Sequence, residues 1–258
     1  MKIIKYGSQE LKKIYNRTLC RKPKVISTVA KIMEDVRLCG DEALCRYTRK
    51  YDKVKLLPKQ LKVTQAEISS AYQNIQPDFV ESLKIIIDNI NRFYKKQVRK
   101  PWKLKNSDGV VLGEQFTPID SAGIYVPAGQ APLVSTVYMT VVPARIAGVK
   151  RIALASPPDK SGNINPHILV VADLLKVNEI YKVGGAQAIA AFTFGTKTIP
   201  PVHKIAGPGN TYVTEAKRQA YGYVDIDMLA GPTELVIIAN RYSPSAYLKA
   251  DLLAQAEH

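Results

Sequence analysis

The run Asp251-Leu252-Leu253-Ala254-Gln255-Ala256-Glu257-His258 reads like half of a metal site. On a helix, Gln255 and His258 stand three residues apart, so both leave from one face, with Asp251 one turn earlier. An amide oxygen and a neutral imidazole can each ligate a divalent cation. A catalytic zinc takes three protein ligands beside an open position. Two ligands are half of such a site. The competing reading is a Gln and a His sharing a solvated helix face, which spacing alone favours.

Two glycine turns offer a different chemistry: Gly184-Gly185-Ala186-Gln187 and Gly207-Pro208-Gly209-Asn210. Small residues let a ligand approach the backbone, and free N–H groups at a helix start favour a phosphate. Gln187 and Asn210 add amide donors and acceptors on the same rim. Neither turn is the Gly-x-Gly-x-x-Gly fingerprint and no Walker lysine follows, so spacing alone is weak support for a nucleotide. Such turns also arise for backbone reasons. A third turn, Gly231-Pro232-Thr233-Glu234, offers the Thr233 hydroxyl to a ligand or to the local backbone. His167, after Pro166, reads as structural, and His203 as a packing or edge residue. A general base near neutral pH is therefore scarce.

These turns need a scaffold, and the apolar pattern supplies one. Val25, Val29, Ile32 and Val36 mark one helix face, and Gly40 predicts a break with Asp41 as the next N-cap. Thr64-Gln65-Ala66-Glu67 has the capping-box pattern, and Pro77 suits the first turn of another helix. Past Pro101 the texture changes to short apolar runs and glycine turns. Strands are predicted within Ile119–Val126, at Arg151–Ala155, Ile180–Val183, Val202–Ala206 and Leu235–Ala239. Helices are predicted at Ser135–Ala147 (with Pro143 as a kink or break), His167–Lys176, after Gly185, up to Ala220, and from Pro244. Strand, turn and helix recur about every 25 to 30 residues, the signature of parallel βαβ units.

Composition bounds the rest. The chain has 258 residues, 46% hydrophobic and 23% charged, as in soluble globular proteins. No run is long and apolar enough for a transmembrane helix or a signal peptide. Cys20, Cys39 and Cys45 show no ligand spacing and read as small buried hydrophobes in a reducing, cytoplasmic setting. Net charge is +15, and Arg92 to Lys105 holds seven basic residues interleaved with Phe93, Tyr94 and Trp102. Such a patch can bind nucleic acid. A solvated helix end followed by a loop is the favoured reading.

Taken together, the motifs resemble the histidinol dehydrogenases. The resemblance is carried by Ile124-Tyr125-Val126-Pro127, Pro143-Ala144-Arg145-Ile146-Ala147-Gly148 and Val183-Gly184-Gly185-Ala186-Gln187-Ala188-Ile189-Ala190-Ala191. It continues in Lys204-Ile205-Ala206-Gly207-Pro208-Gly209-Asn210, Glu215-Ala216-Lys217-Arg218, Ile226-Asp227-Met228, Ala230-Gly231-Pro232 and the run Asp251 to His258. The matches cover about residues 24 to 258. They imply an α/β fold related to the aldehyde-dehydrogenase type: a helical N-terminal block, then parallel βαβ units. They also imply a cytoplasmic, zinc-dependent homodimer that oxidises L-histidinol through the aldehyde to L-histidine with two NAD in turn. By motif, Tyr125, Gln187 and Asn210 would contact NAD. Thr233 stands where the family usually has a substrate-contacting serine. Gln255 and His258 match two zinc ligands that also help hold the substrate.

The resemblance further implies a longer, full-length chain, of which this is an N-terminal portion. The family's Glu-His acid/base pair and its Asp and His zinc ligands would belong to the remainder, leaving this chain inactive alone. An NAD-side domain is expected at about 125–233. A substrate and zinc side is expected from 24–124 plus 234–258. The rivals are a non-catalytic nucleotide-binding or interaction module and a basic nucleic-acid-binding protein.

Overall fold

A computed structural model describes residues 6–15, 23–128, 132–229 and 235–256. Four helices come first: α1 (Gln9–Tyr15), α2 (Pro23–Tyr51), α3 (Gln65–Gln73) and α4 (Pro77–Lys95). A two-stranded ribbon follows, β1 (Trp102–Lys105) and β2 (Val111–Glu114). Strands and helices then alternate as β3 (Ser121–Tyr125), α5 (Val134–Ile146), β4 (Arg151–Ser156), α6 (Pro166–Leu174), β5 (Glu179–Lys182) and α7 (Gly185–Phe194). The series continues through β6 (Lys204–Ala206), α8 (Thr211–Ala220), β7 (Asp225–Ile226) and α9 (Ser245–Ala256).

Strands β3 to β7 form one parallel sheet in the order β5-β4-β3-β6-β7. Side chains alternate across it, as a two-residue period requires. Ala153 and Ala155 of β4 join Tyr125, Tyr181 and Ile205 in a core covered by α2, α7 and α8. Ile152 and Leu154, one residue out of step, face the opposite core with Ile124, Ile180 and residues of α3, α5 and α6. The N-terminal helices thus help cover both faces of the sheet. Because the chain enters at the central strand, builds outward to β5 and then crosses to β6, connections diverge between β3 and β6. In open parallel sheets, ligands bind in the crevice at that switch point, outside the carboxyl ends of the strands.

The capping box on α3 forms as expected, with Thr64 Oγ1 accepting from the Glu67 N–H and Glu67 Oε2 accepting from the Thr64 N–H at 2.8 Å. Gly40 adopts φ 51°, ψ −127°, a bend inside α2. Asp41 does not cap locally. Its carboxylate instead accepts the Thr198 hydroxyl at 2.6 Å, joining α2 to the segment after α7. Helix α5 continues past Pro143, so that proline does not end it.

Three expectations need correction. Cys39, read as buried, is exposed on α2. Residues 235 to 239 form no strand, and Val236 and Ile238 are 85% and 95% exposed. A strand needs a ladder partner, and among the described residues none lies beside this run. The loop expected after the basic helix end is partly the β1–β2 ribbon, in register Trp102↔Glu114 through Lys105↔Val111. Its alternation was masked because both faces are exposed.

Candidate functional site

Tyr125 closes β3 at the switch point and is 4% exposed. Its hydroxyl accepts the N–H of Gly185 at 3.0 Å, tying the end of β3 to the first turn of α7. Burial pushes the phenol up to about 12, the charge of Asp52 adds to the rise, and the Gly185 bond opposes it. Gln187, 1% exposed, folds its amide back over the same turn; its Oε1 would lie 2.8 Å from a Cβ placed on Gly185. Tyr125, Gly185 and Gln187 therefore pack as one cluster at the carboxyl end of β3.

The second turn lies against the end of β3. Gly207 has φ +119°, and a Cβ there would lie 2.1 Å from the carbonyl oxygen of Tyr125. Only glycine allows the two backbones this approach. Three residues later Asn210 caps α8, its Oδ1 accepting from the N–H groups of Tyr212 and Val213 at 3.0 and 3.1 Å. The N-termini of α7 and α8 thus open on the same edge of the sheet, where helix dipoles and backbone N–H groups favour an anion. Tyr125, Gln187 and Asn210, the three positions expected around a nucleotide, all lie at this carboxyl edge of the sheet.

Asp52, just past α2, carries a carboxyl that burial pushes up to about 6. Its Oδ2 is buried without a hydrogen-bond partner among the described residues, as is the hydroxyl of Thr48 one turn before it. Neither was singled out from sequence, because a Thr and an Asp at a helix end are commonplace. Lys217 and Asp227 were also passed over. Lys217 lies on the apolar face made by Val213, Ala216 and Ala220 of α8, and it is as buried as they are. A lysine inside an apolar stripe was the available signal, since such a charge needs a partner. That partner is Asp227.

The C-terminal group assembles less. Gln255 is half-buried on α9, a helix with no buried residue. His258 and Thr233 lie outside the described residues. Among the described residues no group of three His, Cys, Asp or Glu side chains could hold a metal ion. These residues do not by themselves fit a zinc centre. His167 packs edge-on against Phe79, and His203 Nδ1 lies 2.9 Å from Ser121 Oγ at the amino end of the sheet. Both are structural. No helix among the described residues is long and apolar enough to cross a membrane.

Comparison with known proteins agrees with this geometry. The sequence model of the family described as histidinol dehydrogenase matches residues 16–258. A histidinol dehydrogenase of Gloeobacter violaceus is 48% identical over 232 residues, covering 90% of this chain and 52% of that protein. One from Clostridium acetobutylicum is 45% identical over 262 residues, covering 100% of this chain and 60% of its own length. The crystal structure of histidinol dehydrogenase from Elizabethkingia anophelis superposes with a TM-score of 0.87 at 42% identity, covering 93% of this chain and 55% of that one. The chain spans about half the length of the curated relatives it matches. With its central parallel sheet and the glycine turns at its switch point, the chain belongs to the histidinol dehydrogenase family of oxidoreductases.

Proposed function

We propose that these residues supply the NAD-binding unit of an enzyme that oxidises L-histidinol through the aldehyde to L-histidine. The observation that carries this reading is the meeting of Tyr125, Gln187 and the Gly207–Asn210 turn at the switch point. Two helix N-termini, those of α7 and α8, face the proposed site, and their dipoles suit the phosphates of a dinucleotide. NAD, when bound, supplies the hydride acceptor. The dipoles of α7 and α8 favour the pyrophosphate, Gly207 lets its turn close on Tyr125, and the Asn210 amide donates to the nucleotide. Tyr125 and Gln187 form its back wall.

On this reading residues 125–233 are the NAD side, and 24–124 with 234–258 belong to the substrate and zinc side. Thr233, Gln255 and His258 contact substrate, and the last two provide two of the zinc ligands. The other ligands and the acid/base pair come from outside these residues. The working enzyme is a cytoplasmic homodimer.

Titrating the purified chain with NADH and following its fluorescence tests the cradle. Saturable binding is expected, and its absence would overturn the nucleotide reading. Incubation with histidinol and NAD, watched at the NADH absorbance, tests the division of labour. Turnover by these 258 residues alone would overturn it.

A further inference from the structure

Three elements converge on one residue of the second turn. Gly207 donates its N–H to Asp227 Oδ2 at 2.8 Å, and its carbonyl accepts from Lys217 Nζ at 3.0 Å. Lys217 and Asp227 pair directly with each other, closing the circuit. Side chains of a helix lean toward its N-terminus, which lets Lys217, in the last turns of α8, reach back to the turn that precedes the helix. Asp227 arrives from the other side. Its own N–H donates to the carbonyl of Ile205 at 3.0 Å, continuing the β6–β7 ladder. Where the two-residue strand β7 runs out, its side chain takes over the pairing.

We infer that Lys217 and Asp227 are positioning residues for the nucleotide cradle: together they fix both backbone polar groups of Gly207 and hold the Gly207–Asn210 turn against Tyr125. The inference rests on the nucleotide reading of that cradle. Desolvating two charges offsets much of their attraction, so a buried pair is a weak source of net stability. Apolar residues of similar size would fill the same volume. They could not hold an N–H and a carbonyl at once. Strands β6 and β7 are too short to hold the turn by the ladder alone. Lys217 and Asp227 touch neither ligand nor reacting atoms on this reading; they act through Gly207.

The test compares the wild-type chain with the K217M/D227N double variant, which removes both charges while nearly keeping their volumes. R151M/E179Q is the control, because Arg151 and Glu179 pair at 2.9 Å at the opposite, amino end of the sheet. NADH affinity is read by fluorescence titration beside thermal unfolding. K217M/D227N is expected to weaken NADH binding about tenfold, and the control less than about twofold, at comparable thermal stability. Unchanged affinity in K217M/D227N, or an equal loss in the control, overturns the inference. Should the double variant not fold, Lys217→Arg replaces it. Its guanidinium keeps the charge but not the point of contact with the Gly207 carbonyl, and unchanged affinity there also overturns the inference. If the wild-type chain binds no NADH, the nucleotide reading falls and positioning is judged from amide exchange at Gly207 by NMR. Faster exchange in the positioning variant than in the control supports it, and equal exchange refutes it.

Discussion

The hydroxyl of Tyr125 accepts a hydrogen bond from the backbone N–H of Gly185 at 3.0 Å, across 60 residues of sequence. The phenol thereby satisfies a donor that α7 leaves open at its start. In Tyr125→Phe that donor loses its partner, at a cost of about 1–3 kcal/mol. Thermal unfolding should move down by roughly 2–4 °C per kcal/mol in a protein of this size. The phenol lies above its ordinary value in the fold, so its contribution is complete below about pH 10 and fades as pH rises through about 12. The wild-type and Tyr125→Phe stability curves should therefore run parallel from pH 6 to 9.

Gly207→Ala and Gly222→Ala separate contact from backbone strain. Both positions have positive φ, +119° and +106°, but a Cβ meets nothing within 4 Å at Gly222 and the Tyr125 carbonyl at 2.1 Å at Gly207. Urea unfolding should show about 1–3 kcal/mol lost at Gly222. More than about 4 kcal/mol should be lost at Gly207, with NADH binding abolished. Equal losses at the two sites would mean that the close approach to Tyr125 has no energetic weight.

Elements whose stabilising partners lie nearby in sequence were legible. Thr64 and Glu67 are three residues apart, and their capping box reads directly from the letters. Strand β4 was legible because an apolar run between turn signals has few alternatives. What escaped depended on distant partners. Asp41 reads as a cap, yet its hydrogen bond goes to Thr198, 157 residues on. Leu235 to Ala239 has every local property of a strand and lacks the neighbour that would make it one. Of the positions proposed to hold a nucleotide, Gln187 and Asn210 stand in glycine turns that the letters show, and Tyr125 rests on motif resemblance. The Lys217–Asp227 pair was not legible, because letters ten positions apart do not reveal that both turn toward Gly207.

Asn210 combines two roles that substitutions can divide. Its Oδ1 caps α8, and Asn210→Ala should cost about 1 kcal/mol and weaken NADH binding. Asn210→Asp keeps the capping oxygen and so should keep the thermal midpoint, while setting a negative charge beside the proposed phosphate position. NADH affinity should fall at least as far as in Asn210→Ala. Retained affinity in Asn210→Asp would assign this residue to the cap alone.

Asp52 predicts a pH dependence of stability. Burial raises its carboxyl from the usual range near 4 to about 6. A raised folded-state value means that the favourable contribution is full below about pH 4 and is lost as pH rises through about 6. Asp52→Asn removes the buried charge. The variant should unfold a few degrees above wild type at pH 8, with the difference shrinking toward pH 4. Identical curves across that window would show that Asp52 pays no burial penalty.

Helix α2 packs against α7 and α8, and all three enclose the same core. Its apolar face therefore waits through the synthesis of roughly 130 to 160 residues before its partners exist, about 7–30 seconds at a ribosome's pace. Chain order and assembly order run opposite here: the first large helix to be made is among the last to be buried. Loop closure over such a distance is slow. Nascent chains halted before α7 should accordingly display Val29, Ile32 and Val36 to chaperones.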